Sequence, residues 1–434
     1  MRVGYLMQNG APDLTTLSGP QLHVFAVIRG LQKMGHQVRT VAIQQGKIVW
    51  SDDLQNWFPA TFKLTRSRAF QLFESGIRRI QFELRLPFLG VFDSFRYADA
   101  CIQLLSGYDL LYERHGYLGY GGVIAARSLG TPLIIELNGN IVKEIDEMGV
   151  HMTSLQRNIG RWLTIRTLLE ANHLVAVSEA LKDLLISTLG FPKDQISVVL
   201  NGVDAETFTQ SHNEKLVREH FSIGFGPTVT FVGSFQPWHG VDLLVSSFYL
   251  VQSAFPEAQL LLIGEGTGSE SVEKQIAELG LQGNVNFLGR LPQKEVAAVL
   301  SLSDVAVAPY PLSHPEIVGT PLKLMEYMAA GRAIVASTAP IHEVITDGVT
   351  GLRVAPASVN ALAHGIKRLL EDRALRAKLG ANAAREARAH SWDHCAEALD
   401  HILMDCAPHR QAFSSRDRCD SNAQLVAEEG QRLQ

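Results

Sequence analysis

Short apolar runs alternate with amphipathic helical stretches along most of the chain, and this alternation constrains the fold more than any other feature of the sequence. The apolar runs are RVGYLM, QVRTVAI, DLLYER, PLIIELNG, HLVAVS and ISVVLNG in the first half, and TVTFVGS, QLLLIGEG, NVNFLGR, DVAVAPY and AIVAS in the second. Such alternation is typical of parallel sheets covered by helices. Two consecutive sets predict an α/β fold with two Rossmann-like domains rather than one very wide sheet.

The length of the chain and its polar segments predict where the domains divide. A chain of 434 residues is too long for one ordinary core, and the polar segment 205–227 ends in Gly-Phe-Gly-Pro, which is linker-like. We therefore predict a first domain over residues 1–205 and a second over 206–390. We expect an amphipathic helix over 391–406 that packs back towards the first domain, and a polar, disordered tail over 407–434.

Composition excludes several classes of protein. The formal net charge of -5 leaves no Lys/Arg surplus for binding nucleic acid. No stretch approaches the ~20 apolar residues that span a bilayer, and no cleavage site follows the first apolar run. These features predict a cytoplasmic protein. The cysteines are scattered without paired spacing, which fits a reducing compartment and gives no metal cluster; they are Cys101, Cys395, Cys406 and Cys419.

Residues 63–97 interrupt the first set of runs with arginines and aromatics at roughly helical spacing. A basic amphipathic helix there could lie on a membrane or dock a lipid-linked acceptor, with residues 66–92 making peripheral contact at the inner face of the membrane. The alternative is an insertion that packs its Phe and Leu face on the domain core, because any surface helix is amphipathic. The sequence favours the packed insertion and leaves the membrane contact open.

Several motifs in order resemble glycosyltransferase family 4. The stretch HLVAVSEALKDLLISTLGFPKDQISVVLNGVDAETF resembles the end of the family's first domain, and it is followed by FVGSFQPWHGVDLL, LLIGEG, NVNFLGRLP, PLKLMEYMAAGRAIVAS and HEVITDGVTGLRVAP. The resemblance implies a GT-B fold, in which two facing Rossmann-like domains enclose a cleft. It also implies an acceptor on the first domain, a nucleotide-sugar donor on the second, and retaining transfer without a metal or other cofactor.

The segment GTPLKLMEYMAAG carries the chemistry that a diphosphate leaving group needs. Thr320 can cap a helix whose unpaired N–H groups near Leu322 could face a phosphate. Lys323 and Glu326 share one face of that helix. By the resemblance, the carboxylate at Glu326 binds the ribose hydroxyls of the donor. On spacing alone, the alternative is an ion pair in solvent.

Further donor contacts are implied in the glycine-rich turns. The family's Arg and Lys facing the pyrophosphate are replaced by Ser234 and His239, and a histidine there would change its charge near neutral pH. Arg290 is a candidate contact to the base or phosphate, or otherwise a surface arginine. Gly264 and Gly266 would let the backbone approach the ligand. By the resemblance, Gly233 directly precedes the position of the family's Arg, and Gly19 belongs to the glycine-rich loop that opens the first helix towards the cleft.

The candidate catalytic residues depart from the family pattern. Where the family has a second Glu, eight residues before Glu326, this chain has Val318. Either the loop is shifted and Glu316 takes that role near the donor sugar, or the role is missing. A family histidine near the reacting centre corresponds to Asn138, which would orient rather than abstract a proton. His115 is the nearest substitute base, and a structural role for it is equally open.

The sequence therefore predicts a retaining glycosyltransferase that uses a UDP- or GDP-linked sugar in surface polysaccharide or glycoconjugate synthesis. Its acceptor would be a glycan, a lipid-linked molecule or a small molecule. Two alternatives remain: a non-catalytic nucleotide-sugar-binding protein of the same fold, and a transferase that tailors a natural product. A dinucleotide-dependent oxidoreductase is disfavoured, because QNGAPDLTTLSG follows the first strand in place of a tight glycine fingerprint.

Overall fold

The chain forms two compact units. The computed structural model describes residues 1–9, 14, 18–83, 90–116, 118–139, 154–311, 321–337 and 344–407. The first unit comprises Met1–Leu14, Val27–Val199 and the chain from Ala396 onward, and the second comprises Thr15–Ala26 and Leu200–Cys395. The division after Val199 precedes the boundary expected at residue 205. The reason is that Val203 and Phe208 already pack in the core of the second unit.

The first unit is built on an eight-stranded sheet. Its order is β4-β3-β2-β1-β5-β6-β7-β8; the β2–β3 and β3–β4 pairs are antiparallel and the other pairs are parallel. The strands are β1 (Arg2–Met7), β2 (Gln37–Gln44), β3 (Lys47–Ser51), β4 (Phe58–Pro59), β5 (Leu110–Arg114), β6 (Leu133–Leu137), β7 (His173–Ala176) and β8 (Ile196–Val198).

Helices connect these strands. They are α1 (Gly19–Lys33), α2 (Arg68–Glu83), α3 (Val91–Leu104), α4 (Gly121–Leu129), α5 (Ser154–Leu169) and α6 (Glu179–Leu189). Helix α6 is capped at both ends: the Ser178 side chain accepts a hydrogen bond from the Leu181 amide at its start, and Gly190 ends it at φ 65°.

The second unit contains a six-stranded parallel sheet in the order β11-β10-β9-β12-β13-β14. The strands are β9 (Thr228–Val232), β10 (Gln259–Ile263), β11 (Val285–Gly289), β12 (Val305–Ala308), β13 (Ala333–Ser337) and β14 (Leu352–Val354). The helices of this half are α7 (Ala205–Thr209), α8 (Glu214–Phe221), α9 (Val241–Gln252), α10 (Ser269–Glu278), α11 (Gln293–Leu302), α12 (Leu322–Ala329), α13 (Val359–Glu371) and α14 (Arg373–Ala387).

Both faces of the second sheet are covered. Along β13, Ile334 and Ala336 join one buried cluster while Ala333 and Val335 join the other. This alternation explains why the strand reads as a continuous apolar run: side chains on both faces are buried.

The last helix, α15, runs from Trp392 to Cys406. From Ala396 onward the chain groups with the first unit, where Asp400 Oδ1 lies 2.7 Å from His36 Nε2. The tail predicted to be disordered lies, from residue 408, outside the described residues.

The insertion after β4 forms α2 and the start of α3. The ring of Phe70 makes edge contacts with Phe92 and Phe95. The buried carboxylate of Glu74 pairs with the half-buried Arg96 and links the two helices. This side of α2 therefore packs as the insertion hypothesis expects. None of the described helices is both long and apolar enough to span a bilayer.

Strand order predicts at which edge of each sheet a ligand binds. In the second unit β9 lies between β10 and β12, so the connections that leave β9 and reach β12 diverge to opposite sides. In the first unit β1 lies in the same way between β2 and β5. Open α/β sheets bind ligands outside the carboxyl ends of the strands at such a switch point.

Candidate functional site

Two glycine turns lie side by side at the carboxyl edge of the second sheet. Gly233 follows β9 at φ 145° and Gly264 follows β10 at φ 126°. The Gly233 amide donates to the Ile263 carbonyl at 2.9 Å, and a Cβ on Gly264 would lie 2.0 Å from the Gly233 carbonyl oxygen. Only glycine fits this contact, which leaves backbone exposed at the edge where a ligand would bind.

The loop after Gly233 is closed by His239. Its Nδ1 donates to the Ser234 carbonyl, and Gly240 ends the loop at φ 65°. Burial, aided by the charge of Lys323, lowers the pKa of His239 to about 3. The expectation that this histidine titrates near neutral pH is therefore wrong: the ring is neutral, and its Nδ1 proton stabilises the loop.

Lys323 lies in the first turn of α12 and points towards Gly233. Its side chain is only 8 % exposed, and among the described residues Nζ has no hydrogen-bond partner. Nζ lies 4.3 Å from the ring centroid of Phe231 and 5.4 Å from that of Tyr310. A Cβ at Gly233 would come within 2.6 Å of Nζ. The lysine is thus a buried amine beneath the glycine turn, and burial lowers its pKa to about 7, while the charge of Glu326 opposes that shift.

Glu326 lies one turn further along α12 and is half-buried. Burial raises its pKa, while a hydrogen bond from Gln293 and the charge of Lys323 oppose that rise. Lys323 and Glu326 therefore do not form an ion pair in solvent. A half-buried carboxylate on this edge can accept hydrogen bonds from hydroxyl groups.

Sequence reasoning missed the role of Tyr327. The β9–β12 ladder pairs only Val229 with Val305 and Thr230 with Ala306. One step further, the Val232 amide donates to the Tyr327 hydroxyl at 2.8 Å, and that hydroxyl donates to the Val307 carbonyl at 3.3 Å. The phenol thus satisfies backbone groups between the diverging strands and keeps the switch point open. A buried tyrosine beside a candidate ligand residue is the only sequence signal for this role.

Arg290 follows β11 at the rim of the same edge. Its Nε lies 3.5 Å from Glu265 Oε2, and both side chains are exposed to solvent. Leu322 is the first residue of α12, and Gly331, at φ 64°, follows the end of that helix. Glu316, Val318 and Thr320 lie outside the described residues, so their assignments stay predictions.

A polar cluster lies at the corresponding edge of the first sheet. Glu136, near the end of β6, is buried. Its carboxylate accepts hydrogen bonds from the Tyr112 hydroxyl at 2.6 Å, from Arg114 at 3.2 Å and from the Asn138 amide. Asn138 itself is only partly buried. The structure thus places Asn138 and Arg114 at one carboxylate. Neither side chain is basic enough to abstract a proton from an acceptor hydroxyl.

His115 follows β5 on the other side of the sheet, with Glu113. Within the part of the chain that the structure describes, neither side chain has a hydrogen-bond partner. Burial lowers the pKa of His115 to about 4 and raises that of Glu113 to about 8. An imidazole with so low a pKa is a weak base near neutral pH. Gly19 is the first residue of α1, after Ser18, whose hydroxyl accepts from the Gln21 amide.

Together, a doubly covered parallel sheet, two close glycine turns at its switch point and a buried lysine beside them define a nucleotide-binding α/β protein. Comparison with known proteins narrows this class. The family described as Glycosyltransferase Family 4 matches residues 17–207, and Glycosyl transferases group 1 matches residues 213–386.

Among sequence relatives, the D-inositol 3-phosphate glycosyltransferase of Corynebacterium glutamicum is 29% identical over 241 residues, covering 53% of this chain and 56% of that protein. The alpha-D-kanosaminyltransferase of Streptomyces kanamyceticus is 23% identical over 269 residues, covering 60% and 67%. The chain thus matches about half the length of the first of these relatives.

Among solved structures, Anabaena Alr3699/HepE in complex with UDP superimposes with a TM-score of 0.70 at 18% identity, covering 93% of this chain and 100% of that one. The same protein in complex with UDP-glucose gives a TM-score of 0.68 at 19% identity, with the same coverage. This likeness confirms the predicted two-domain α/β fold of the GT-B class. The chain belongs to glycosyltransferase family 4.

Proposed function

We propose that this chain transfers a glycosyl group, with retention, from a nucleoside-diphosphate sugar to an acceptor hydroxyl, and that the donor binds the second unit. The observation that carries the proposal is Lys323, a buried amine that has no hydrogen-bond partner among the described residues and that points at the Gly233 turn. A bound diphosphate would supply the hydrogen-bond acceptors and the close negative charge that stabilise a buried ammonium group. The binding of UDP and UDP-glucose by Anabaena HepE supports a UDP-linked donor.

In this proposal the chain stabilises the leaving group without a metal. Lys323 and the N-terminus of α12 face the diphosphate, the backbone of the Gly233 and Gly264 turns approaches it closely, and Glu326 accepts hydrogen bonds from the ribose hydroxyls. A departing phosphate oxygen takes the proton of the acceptor hydroxyl as the new glycosidic bond forms, so no protein base is needed. His239 contributes by holding the loop.

The proposal is tested by a thermal-shift screen of UDP- and GDP-sugars, followed by an assay of UDP or GDP release. Binding stabilises the folded state by mass action, so the true donor raises Tm and is then consumed, with or without EDTA. Donor binding without turnover on any acceptor would indicate the non-catalytic alternative. Loss of turnover in EDTA that Mg²⁺ restores would contradict metal-independent transfer.

We further propose that the exposed side of α2 contacts the inner face of a membrane that carries the acceptor, within residues 66–92. Several large apolar side chains on or near this helix are exposed, with Arg66, Arg68 and Arg79 beside them; they are Leu64 (65%), Leu72 (74%), Phe73 (58%) and Ile80 (49%). Apolar side chains flanked by arginines suit an anionic lipid surface.

Vesicle co-sedimentation tests this contact. We expect Leu72→Glu with Ile80→Glu to release the protein from phosphatidylglycerol vesicles, because both changes place charge on the apolar surface. Leu216→Glu, at another exposed leucine in the second unit, is the matched control and should leave vesicle binding unchanged. Equal sedimentation of all the variants would contradict the membrane proposal.

A further inference from the structure

The buried carboxylate of Glu136 fixes the orientation of the Asn138 side chain. An ionised carboxylate can only accept hydrogen bonds, so the Asn138 amide must turn its Nδ2 towards Glu136. Tyr112 and Arg114 donate to the same carboxylate and hold it in place. Asn138 is therefore restricted to one of its two amide orientations.

The consequence concerns the other atom of the amide. With Nδ2 bound to Glu136, the carbonyl Oδ1 is the atom left for a ligand, and Asn138 is partly open to solvent. Its position just after β6 places it at the carboxyl edge of the sheet, beside the end of β5. An oxygen that accepts hydrogen bonds suits a hydroxyl group and disfavours a phosphate or carboxylate.

We infer that Glu136 is a positioning residue, which holds Asn138 so that its carbonyl oxygen accepts a hydrogen bond from a sugar or polyol hydroxyl on the acceptor side. This inference rests on the proposed transferase function and extends it to a substrate class. Glu136 is paired with Arg114 at 3.2 Å, so a positive charge lies beside the buried carboxylate.

Exchanging the carboxylate and the amide between positions 136 and 138 tests the inference. In Asn138→Asp two carboxylates face each other, whereas in the double variant Glu136→Gln/Asn138→Asp the new amide donates to the new carboxylate. Because Arg114 and Asn138 share Oε1 of Glu136, Arg114 must pair with the new carboxylate at position 138 in the double variant. One negative charge and one acceptor oxygen directed outward are kept. Activity is followed as UDP release from UDP-glucose, with water as acceptor and then with methyl glucoside in excess.

We expect Asn138→Asp to lower kcat at pH 8 by about 10-fold, the scale of one lost hydrogen bond, with the KM for UDP-glucose unchanged. Activity should rise again towards pH 6, because the facing carboxylates raise each other's pKa and share a proton. The double variant should recover to within about 3-fold of the wild type and lose this pH dependence.

Tyr112→Phe is the matched control. It removes a donor to the other oxygen of Glu136, leaves the Asn138 contact intact, and should reduce stability without the pH-dependent loss of kcat. Wild-type activity in Asn138→Asp at pH 8, or a double variant no more active than that single variant, would overturn the inference.

A different result would count against the transferase function alone. If the wild type neither bound nor consumed any UDP- or GDP-sugar of the screen, the proposed function would fail. The contact itself would then be judged by thermal unfolding: Asn138→Asp should lose stability as pH rises, and the double variant should regain it. Identical unfolding of both variants at every pH would overturn the contact.

Discussion

At the scale of single residues, the structure shows an environment of Lys323 and Glu326 that their spacing in the sequence does not predict. The spacing of Lys323 and Glu326 on a helix is equally typical of an exposed ion pair. The structure instead buries the lysine against Phe231 and Tyr310. Strands distant in sequence supply that burial, so no local pattern could predict it. The identity of these residues was predictable, but their electrostatic environment was not.

The first prediction concerns His239. Its pKa of about 3 keeps the ring neutral at pH 6 and at pH 8, and protonation at pH 6 would require a bound phosphate to contribute about 4 kcal/mol. We therefore expect His239→Ala to weaken UDP binding by the same factor at both pH values, measured by isothermal titration. A much larger effect at pH 6 would show that the ring becomes charged in the complex.

At the scale of elements, apolar runs and caps predicted most strands and helices of both sheets. Sequence reasoning missed β3 and β4, because their few residues carry no clear alternation and depend on pairing with β2. It also missed the hydroxyl of Tyr327 between β9 and β12, because a helical residue that satisfies two strands is a purely tertiary arrangement.

The second prediction tests that arrangement. Tyr327→Phe leaves the Val232 amide and the Val307 carbonyl without the hydroxyl, so the free energy of unfolding should fall by about 1–3 kcal/mol in urea denaturation. Tyr249→Phe, at an exposed position of α9, is the control and should change it by less than about 0.5 kcal/mol. Equal stabilities would show that water or rearranged backbone replaces the phenol.

The third prediction concerns the glycine turns. Gly264→Ala places a Cβ 2.0 Å from the Gly233 carbonyl, so the two turns must separate, and we expect lower stability together with weaker UDP binding. Gly280→Ala is the control, since Gly280 also has a positive φ, 69°, but open space around it. It should cost about 1 kcal/mol of stability and leave UDP affinity unchanged. Similar UDP affinities in both variants would contradict a ligand at this edge.

At the scale of the whole molecule, two units with parallel sheets and matches to family 4 over both halves establish the class of protein. Strand order then predicts that ligands bind at the carboxyl edge of each sheet, and the polar residues at the two edges differ in their charge. The second sheet presents the buried amine of Lys323, whereas the first presents the carboxylate of Glu136, which pairs with Arg114, and the amide of Asn138. This difference is the basis for assigning the diphosphate to one unit and the hydroxyl to the other.

The most direct test of this account is the rate of UDP release from the donor found in the screen, compared between the wild type, Lys323→Ala and the control Lys294→Ala. Lys294 is exposed on α11, so its removal should leave kcat/KM unchanged. Removal of Lys323 should lower kcat/KM by at least ~100-fold, because the developing charge on the diphosphate loses its buried cation. Near-normal turnover by Lys323→Ala would contradict the placement of the donor at this edge.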